Sequence, residues 1–161
     1  MIPEIEVETE EPELIATNGE EFPWDNVKLP SFITPIRYDI ELTPNLTTQW
    51  VKGIEKLIFT VKEETNFIVF HSKNITITSR YVGNPLLSFA YIFYIFRTIN
   101  ERLHVEKMLE FPYREQIYLE TDEYMTPGVS YAIRLKFQYK LSQHLEGFYL
   151  SRYKDKEGDE R

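Results

Sequence analysis

The 161-residue chain has no cysteine. That removes disulfides, a thiolate nucleophile and every cysteine zinc site, while leaving compartment open, because a secreted domain of this size can fold without disulfides. There is no net basic charge. The formal charge is −8, yet residues 1–21 hold eight Glu and no Asp, Lys or Arg, so that beyond them 18 acidic side chains balance 18 basic ones. A neutral body lacks the clustered Lys and Arg that phosphate contacts require, which excludes nucleic acid as a partner. Histidine is scarce: only His71, His104 and His144. No His-Glu-x-x-His pair, serine nucleophile motif, phosphate-binding loop or dinucleotide-binding glycine run is present. No apolar run reaches the roughly 20 residues of a membrane-spanning helix. The start, Met1-Ile-Pro-Glu-Ile-Glu, carries neither the basic region nor the apolar core of a secretory signal. Convincing helical periodicity over ten or more residues is missing too.

What the chain does contain is alternation. Aromatics make up 15% of residues, and Tyr and Phe suit half-buried pleated surfaces. Between Pro35 and Pro44, Ile36, Tyr38, Ile40 and Leu42 alternate with Arg37, Asp39, Glu41 and Thr43, the pattern of a half-buried strand. Proline cannot donate to a ladder, so the two prolines are expected at the ends of this strand. Val51 to Lys62 alternates again, with Leu57, Phe59 and Val61 on its apolar side. Asn66 to His71 is nearly all apolar, as in a strand covered on both faces. Ile75 and Ile77 begin another, and Leu103 to Met108 and Gln116 to Glu120 are weaker candidates. The strongest period places Tyr131, Ile133, Leu135, Phe137, Tyr139 and Leu141 on one face, after a Thr126-Pro127-Gly128 turn. Leu145 to Tyr153 reads as a last aromatic strand. Six to eight short antiparallel strands with regular turns predict an all-β sandwich in one domain.

Two stretches fall outside this scheme. Residues 1–21 hold too little apolar surface to repay ordering and are expected to be a disordered acidic tail, with Phe22-Pro23-Trp24 packing on the outside of the body that runs from 22 to 161. Tyr81 to Phe96 has no charged residue. The atypical region 81–100 is open to three readings: a core or interface element, a membrane-touching loop, or a segment foreign to the domain such as a retained intron, of which the last is favoured. Within the body, His104 with Glu106 and His144 with Glu146 stand two residues apart and would share a strand face, but two ligands make a poor metal site and both read as ordinary surface pairs. Asn45-Leu46-Thr47 and Asn74-Ile75-Thr76 satisfy the glycosylation sequon at expected turns, which points to a lumenal or extracellular parent.

Several ordered motifs resemble the zinc aminopeptidases of the aminopeptidase N type, especially the endoplasmic reticulum and leucyl-cystinyl aminopeptidases. They are Phe22-Pro23-Trp24, Leu29-Pro30 with Pro35 and Tyr38-Asp39-Ile40, Pro44-Asn45-Leu46, Phe70-His71-Ser72-Lys73-Asn74-Ile75, and the most specific, Glu146-Gly147-Phe148-Tyr149-Leu150-Ser151-Arg152-Tyr153. The resemblance covers about 22–80 and 101–158. It implies the saddle-like amino-terminal β-sandwich of such an enzyme, incomplete at its C-terminus, packing against a catalytic domain that is missing here. Pro35, Tyr38, His71, Gly147, Phe148, Tyr149, Ser151 and Tyr153 are then structural motif residues, with Gly147 allowing close backbone approach while Phe148 and Tyr149 pack. It implies no catalytic, cofactor-binding or metal-binding residue in this chain. Zinc and the peptide substrate belong to the full-length parent, expected at the plasma membrane, outside the cell or in the endoplasmic reticulum lumen. In the family one strand runs directly towards the next where 81–100 stands, which supports the foreign-segment reading. The rival from another class is a stand-alone binding module that has kept the sandwich and lost the peptidase.

Overall fold

The computed structural model describes residues 12–78, 94–97, 102–142 and 147–151, with Lys154, Lys156 and Gly158. Among these residues eight antiparallel strands follow one another: β1 (Ile33–Asn45), β2 (Trp50–Val61), β3 (Thr65–His71), β4 (Thr76–Ile77), β5 (Tyr94–Arg97), β6 (Arg102–Phe111), β7 (Gln116–Met125) and β8 (Ser130–Lys140). They are linked in the order β1-β2-β8-β5-β6-β7-β3, with β4 beside β8. Two layers arise because β6 changes partner. Its first residues pair with β5 and the rest pair with β7, so the chain passes from the large layer to a three-stranded one, β6-β7-β3. The fold is thus an all-β sandwich.

Between the layers, register decides which residues meet. Leu57 of β2 stands between Tyr38 and Ile133, Glu55 between Ile40 and Leu135, and Gly53 between Leu42 and Phe137. These rows form the inner face of the large layer. Phe59, Val61, Tyr131, Ile133 and Leu135 pack there against Ile68, Leu103, Val105, Ile117, Leu119 and Met125 of the small layer. On the opposite face Asp39 stands in one row with Lys56 and Arg134.

Both prolines stand within β1, contrary to the expectation that they bound it. Pro35 pairs with Phe59 and Pro44 with Val51. An edge strand and a bulge are the places where a sheet accepts proline, and β1 offers both: it ends the strand order, and its register shifts between Pro35 and Arg37. Ile36 is the extra residue. Because it adds one to the count, Ile33 and Pro35 before it and Tyr38, Ile40 and Leu42 after it lie on the same face.

The small layer is covered on both faces, as the apolar run of β3 predicts. What covers its outer face is the segment before β1. Ala16 and Phe22 are buried with Val69, Leu109, Phe111 and Tyr118, and Leu14, Trp24 and Phe67 pack around them. Phe22 stacks on Phe111 at 5.2 Å and Phe67 on Tyr118 at 5.2 Å. The Ala16 N–H donates to Glu20 O and the Phe22 N–H to Leu14 O, closing a small hairpin, and Thr17 N–H donates to Glu110 O. Two ion pairs tie the segment to the small layer: Lys107 to Glu20 at 3.3 Å and the buried Arg114 to Asp25 at 3.2 Å. The expectation of a disordered tail up to Glu21 is therefore corrected for residues 12–21. Burial of one aromatic such as Phe22 is worth about 1.5–3 kcal/mol, which the Glu-rich composition around it conceals. Residues 1–11 lie outside the described residues.

Of the atypical region, Tyr94–Arg97 are placed as β5, paired with β8 on one side and β6 on the other. That is the position of an internal strand. Residues 79–93 and 98–101 lie outside the described residues.

Candidate functional site

Among the described residues the histidines and their acidic neighbours do not converge. His71 ends β3 opposite Gln116 and is exposed. His104 and Glu106 do share the exposed side of β6, while Leu103 and Val105 point into the core. Among the described residues, no group of three or more His, Asp or Glu is placed to hold a metal ion. His144 and Glu146 lie outside the described residues. A zinc ion of the kind the resemblance implies for the parent therefore finds no fitting donor set in the described part of this chain.

The Gly-Phe-Tyr motif differs from its expected geometry. Residues 147–151 form no strand. Gly147 has a φ of +61°, a left-handed conformation that glycine alone adopts without strain, and nothing stands within 4 Å of where a Cβ would be. Its role here is conformational, not close approach. This turn breaks the extended path, and Leu150 N–H then donates to Ser142 O at 2.9 Å. Phe148 and Tyr149 are exposed instead of packed, and so is Ser151. Tyr153 lies outside the described residues.

Both sequon asparagines are exposed at strand ends. Asn45 closes β1, where its Oδ1 accepts from Thr48 N–H at 3.0 Å and shapes the turn into β2. Asn74 lies between β3 and β4 with a φ of +54°, a conformation Asn tolerates better than most residues. It borders a cleft of about 510 Å³ between the ends of the two layers, with Trp50, Glu115, Gln116 and Lys140 among its walls. Gln116 is a residue that sequence alone gave no reason to single out. It is fully buried, its Nε2 donates to Asn26 O and Val27 O at 2.8 and 3.0 Å, and its Oε1 accepts nothing.

The least expected surface is the inner face of β1. Alternation assigns Ile36, Tyr38, Ile40 and Leu42 to one buried side, yet the bulge takes Ile36 out of the row, and Tyr38, Ile40 and Leu42, which do lie on the inner face, are 55%, 58% and 38% exposed. The small layer covers β2 and β8 and stops short of the edge strand, so of β1 only Ile33 joins the core. Glu55 lies in the row of Ile40 and Leu135. Burial among these apolar neighbours raises its carboxyl above the ordinary Glu value of 4.5. On the small layer, burial and then the Glu120 carboxylate that accepts its O–H at 2.9 Å push the Tyr118 phenol up. Tyr118 is packed in the core beneath Phe22 and has no access to a substrate. Neither group makes an acid–base pair of the catalytic kind.

Residues 34–161 match the Peptidase M1 N-terminal domain. Over 147 residues, 91% of this chain, it is 37% identical to human endoplasmic reticulum aminopeptidase 2, and 31% identical to human endoplasmic reticulum aminopeptidase 1 over 90% of its length. Bovine glutamyl aminopeptidase is 26% identical over 88% of the chain. In each case the chain spans only 14% of the relative. With the sandwich in place and this match over most of its length, the chain belongs to the M1 peptidase family, of which it represents the amino-terminal domain.

Proposed function

We propose that the chain serves as the non-catalytic amino-terminal domain of a zinc aminopeptidase that removes residues from the amino termini of peptides. The observation that carries this reading is the alignment itself: 91% of the chain answers to 14% of an endoplasmic reticulum aminopeptidase, in the part that matches the family's amino-terminal domain. Zinc and the general base belong, in this reading, to polypeptide beyond the domain, and the domain contributes a rigid wall against which that polypeptide packs.

The purified chain is expected to release no amino acid from chromogenic aminoacyl substrates. Chelator-sensitive release by the chain alone would overturn the reading. Sequencing transcripts through the Arg161 codon is the complementary test: a continuing frame with a His-Glu-x-x-His motif supports it, and a stop codon at that point in every transcript would transfer the function to a stand-alone module. We also propose that Asn45 and Asn74 carry glycans in a lumenal parent, since both are exposed at strand ends. Expression with a secretion leader in glycosylating cells should give a chain that loses two steps of mass on deglycosylation, and one step each in Asn45→Gln and Asn74→Gln.

A further inference from the structure

The cover on the outer face of the small layer is closed by a chemically labile pair. Asn18 and Gly19 form the tip of the hairpin that carries Ala16 and Phe22 into that cover. Every other Asn of the sequence precedes a residue with a side chain, and Asn18 alone precedes glycine. The turn demands that glycine: its φ is +86°, a left-handed conformation in which other residues are strained. Residues 17–20 are exposed, so water reaches the tip. An Asn carboxamide beside a peptide nitrogen that no side chain shields is open to attack by that nitrogen.

The hydrogen bonds at the tip act on the reacting atoms in opposite directions. Glu20 N–H donates to Asn18 Oδ1 at 3.1 Å, the oxygen that gathers negative charge when Cγ is attacked, and a donor fixed there favours attack. Against this, Gly19 N–H donates to Ala16 O at 2.9 Å, and that proton must leave before the nitrogen can react. Asn18 Nδ2 donates to Glu20 Oε1 at 2.9 Å, which holds the carboxamide in place. Glu20 is itself fixed, its backbone carbonyl accepting from Ala16 N–H and its carboxylate paired with Lys107 of β6 at 3.3 Å. The closed hairpin thus withholds the nucleophile from an electrophile that it polarises, and reaction waits for local opening.

We propose that Asn18 is a self-modification site, restrained by the closed hairpin, whose product releases the cover of the small layer. The Gly19 nitrogen gives its proton to water and attacks Asn18 Cγ. The N–Cγ bond forms, the Cγ–Nδ2 bond breaks, and ammonia leaves with a proton taken from water. Water then opens the cyclic imide at either carbonyl, which leaves aspartate or isoaspartate in place of Asn18. Aspartate cannot donate to Glu20 Oε1 and sets a second carboxylate against it. Isoaspartate adds a methylene to the main chain inside the turn, which puts the Ile15–Glu21 bridge and the Ala16–Glu20 bond out of step. Either product weakens the segment that holds Phe22 against Phe111 and Tyr118. Only the hairpin and the layer beneath it take part, so this chemistry does not depend on the aminopeptidase reading.

The test holds the 161-residue chain near neutral pH, native and in urea that unfolds it. Peptide mapping follows the amide-to-acid mass gain at Asn18 and Asn26, and isoaspartyl methyltransferase labels the rearranged product. Asn26 is the internal reference: it is exposed and its Oδ1 accepts from Lys28 N–H at 2.8 Å in the same way, but Val27 follows it. In the unfolded chain Asn18 should convert well ahead of Asn26. In the native chain Asn18 should convert more slowly than in urea by on the order of tenfold, as a site reached through local opening does. Chain converted in urea is then separated by charge, refolded and given to a Glu-specific protease beside intact chain treated alike, with Asn18→Asp supplying one product directly. Cleavage after Glu21 should be roughly fivefold or more faster in the converted chain and in Asn18→Asp, because proteolysis tracks the open population. Equal conversion of Asn18 and Asn26 in urea removes the site. Equal rates in native and unfolded chain remove the restraint, and unchanged protease resistance in both products removes the release of the cover. Any one of these three results overturns the proposal.

Discussion

Adding a single methyl group at Gly53 should destabilise the domain, although glycine is ordinarily the poorer residue in a strand. Gly53 lies in the middle of β2 on the inner face, and its cross-strand partner on β8 is Phe137. A Cβ built there falls on the Phe137 ring, with Cζ, Cε2 and Cε1 all inside van der Waals contact. The ring lies across the glycine and uses the space a side chain would fill, and Phe137 is buried as a result. Gly53→Ala would gain about 0.5–1 kcal/mol of backbone entropy. Against this, overpacking a filled core costs about 1–3 kcal/mol, or the ring swings outward and gives up part of the roughly 1.5–3 kcal/mol of a buried Phe. The net expectation is a loss of about 1–2 kcal/mol, or a midpoint lower by about 2–8 °C for a domain of this size. Thermal and urea unfolding followed by Trp fluorescence would measure it. Pairing Gly53→Ala with Phe137→Leu should recover part of the loss, because the smaller side chain vacates the space, and the coupling would show as non-additivity. A neutral or stabilising Gly53→Ala, or strict additivity with Phe137→Leu, would refute this account of the contact.

Phe22→Ala removes the aromatic that seals the outer face of the small layer and should cost about 3–5 kcal/mol in urea unfolding, a large part of a typical domain's stability. The exposed Val27→Ala just beyond it should stay within about 0.5 kcal/mol, and equal effects would return residues 12–22 to the status of a tail. Glu55→Gln should stabilise the isolated chain near neutral pH and do nothing at pH values well below 4.5. Burial raises the folded-state value above 4.5, so the folded chain holds a proton that the unfolded chain has shed, and stability falls as pH rises through that interval. A pH-independent difference between wild type and Glu55→Gln would contradict the sign.

The strands were legible in the sequence because most of them are half-buried, and half burial writes itself as a period of two. β8 runs Ser130–Lys140 against an alternation read from Tyr131 to Leu141, and β2 runs Trp50–Val61 against Val51 to Lys62. The run Phe67 to Phe70 correctly announced a strand with two dry faces. It could not say what dries the second one, because Leu14, Ala16 and Phe22 stand isolated among Glu residues and have no period of their own. The bulge at Ile36 was equally silent, since an apolar residue at that position extends the letter pattern of Tyr38, Ile40 and Leu42 even though the ladder shifts there and the side-chain alternation is broken.

For the candidate site the division is sharper. The family motifs, the two sequons and the lack of a zinc motif were all written in the chain, because each depends on residues close together in sequence. The contact of Gly53 with Phe137 joins residues 84 positions apart, and the exposure of Tyr38 and Ile40 depends on where the small layer ends. An alternating strand tells which of its faces is apolar and nothing about what lies above that face. The sequence by itself thus determined an all-β amino-terminal domain and the sidedness of β1. Only the tertiary structure decided that the apolar side is left open, because burial is a property of the second layer and not of the strand that needs it.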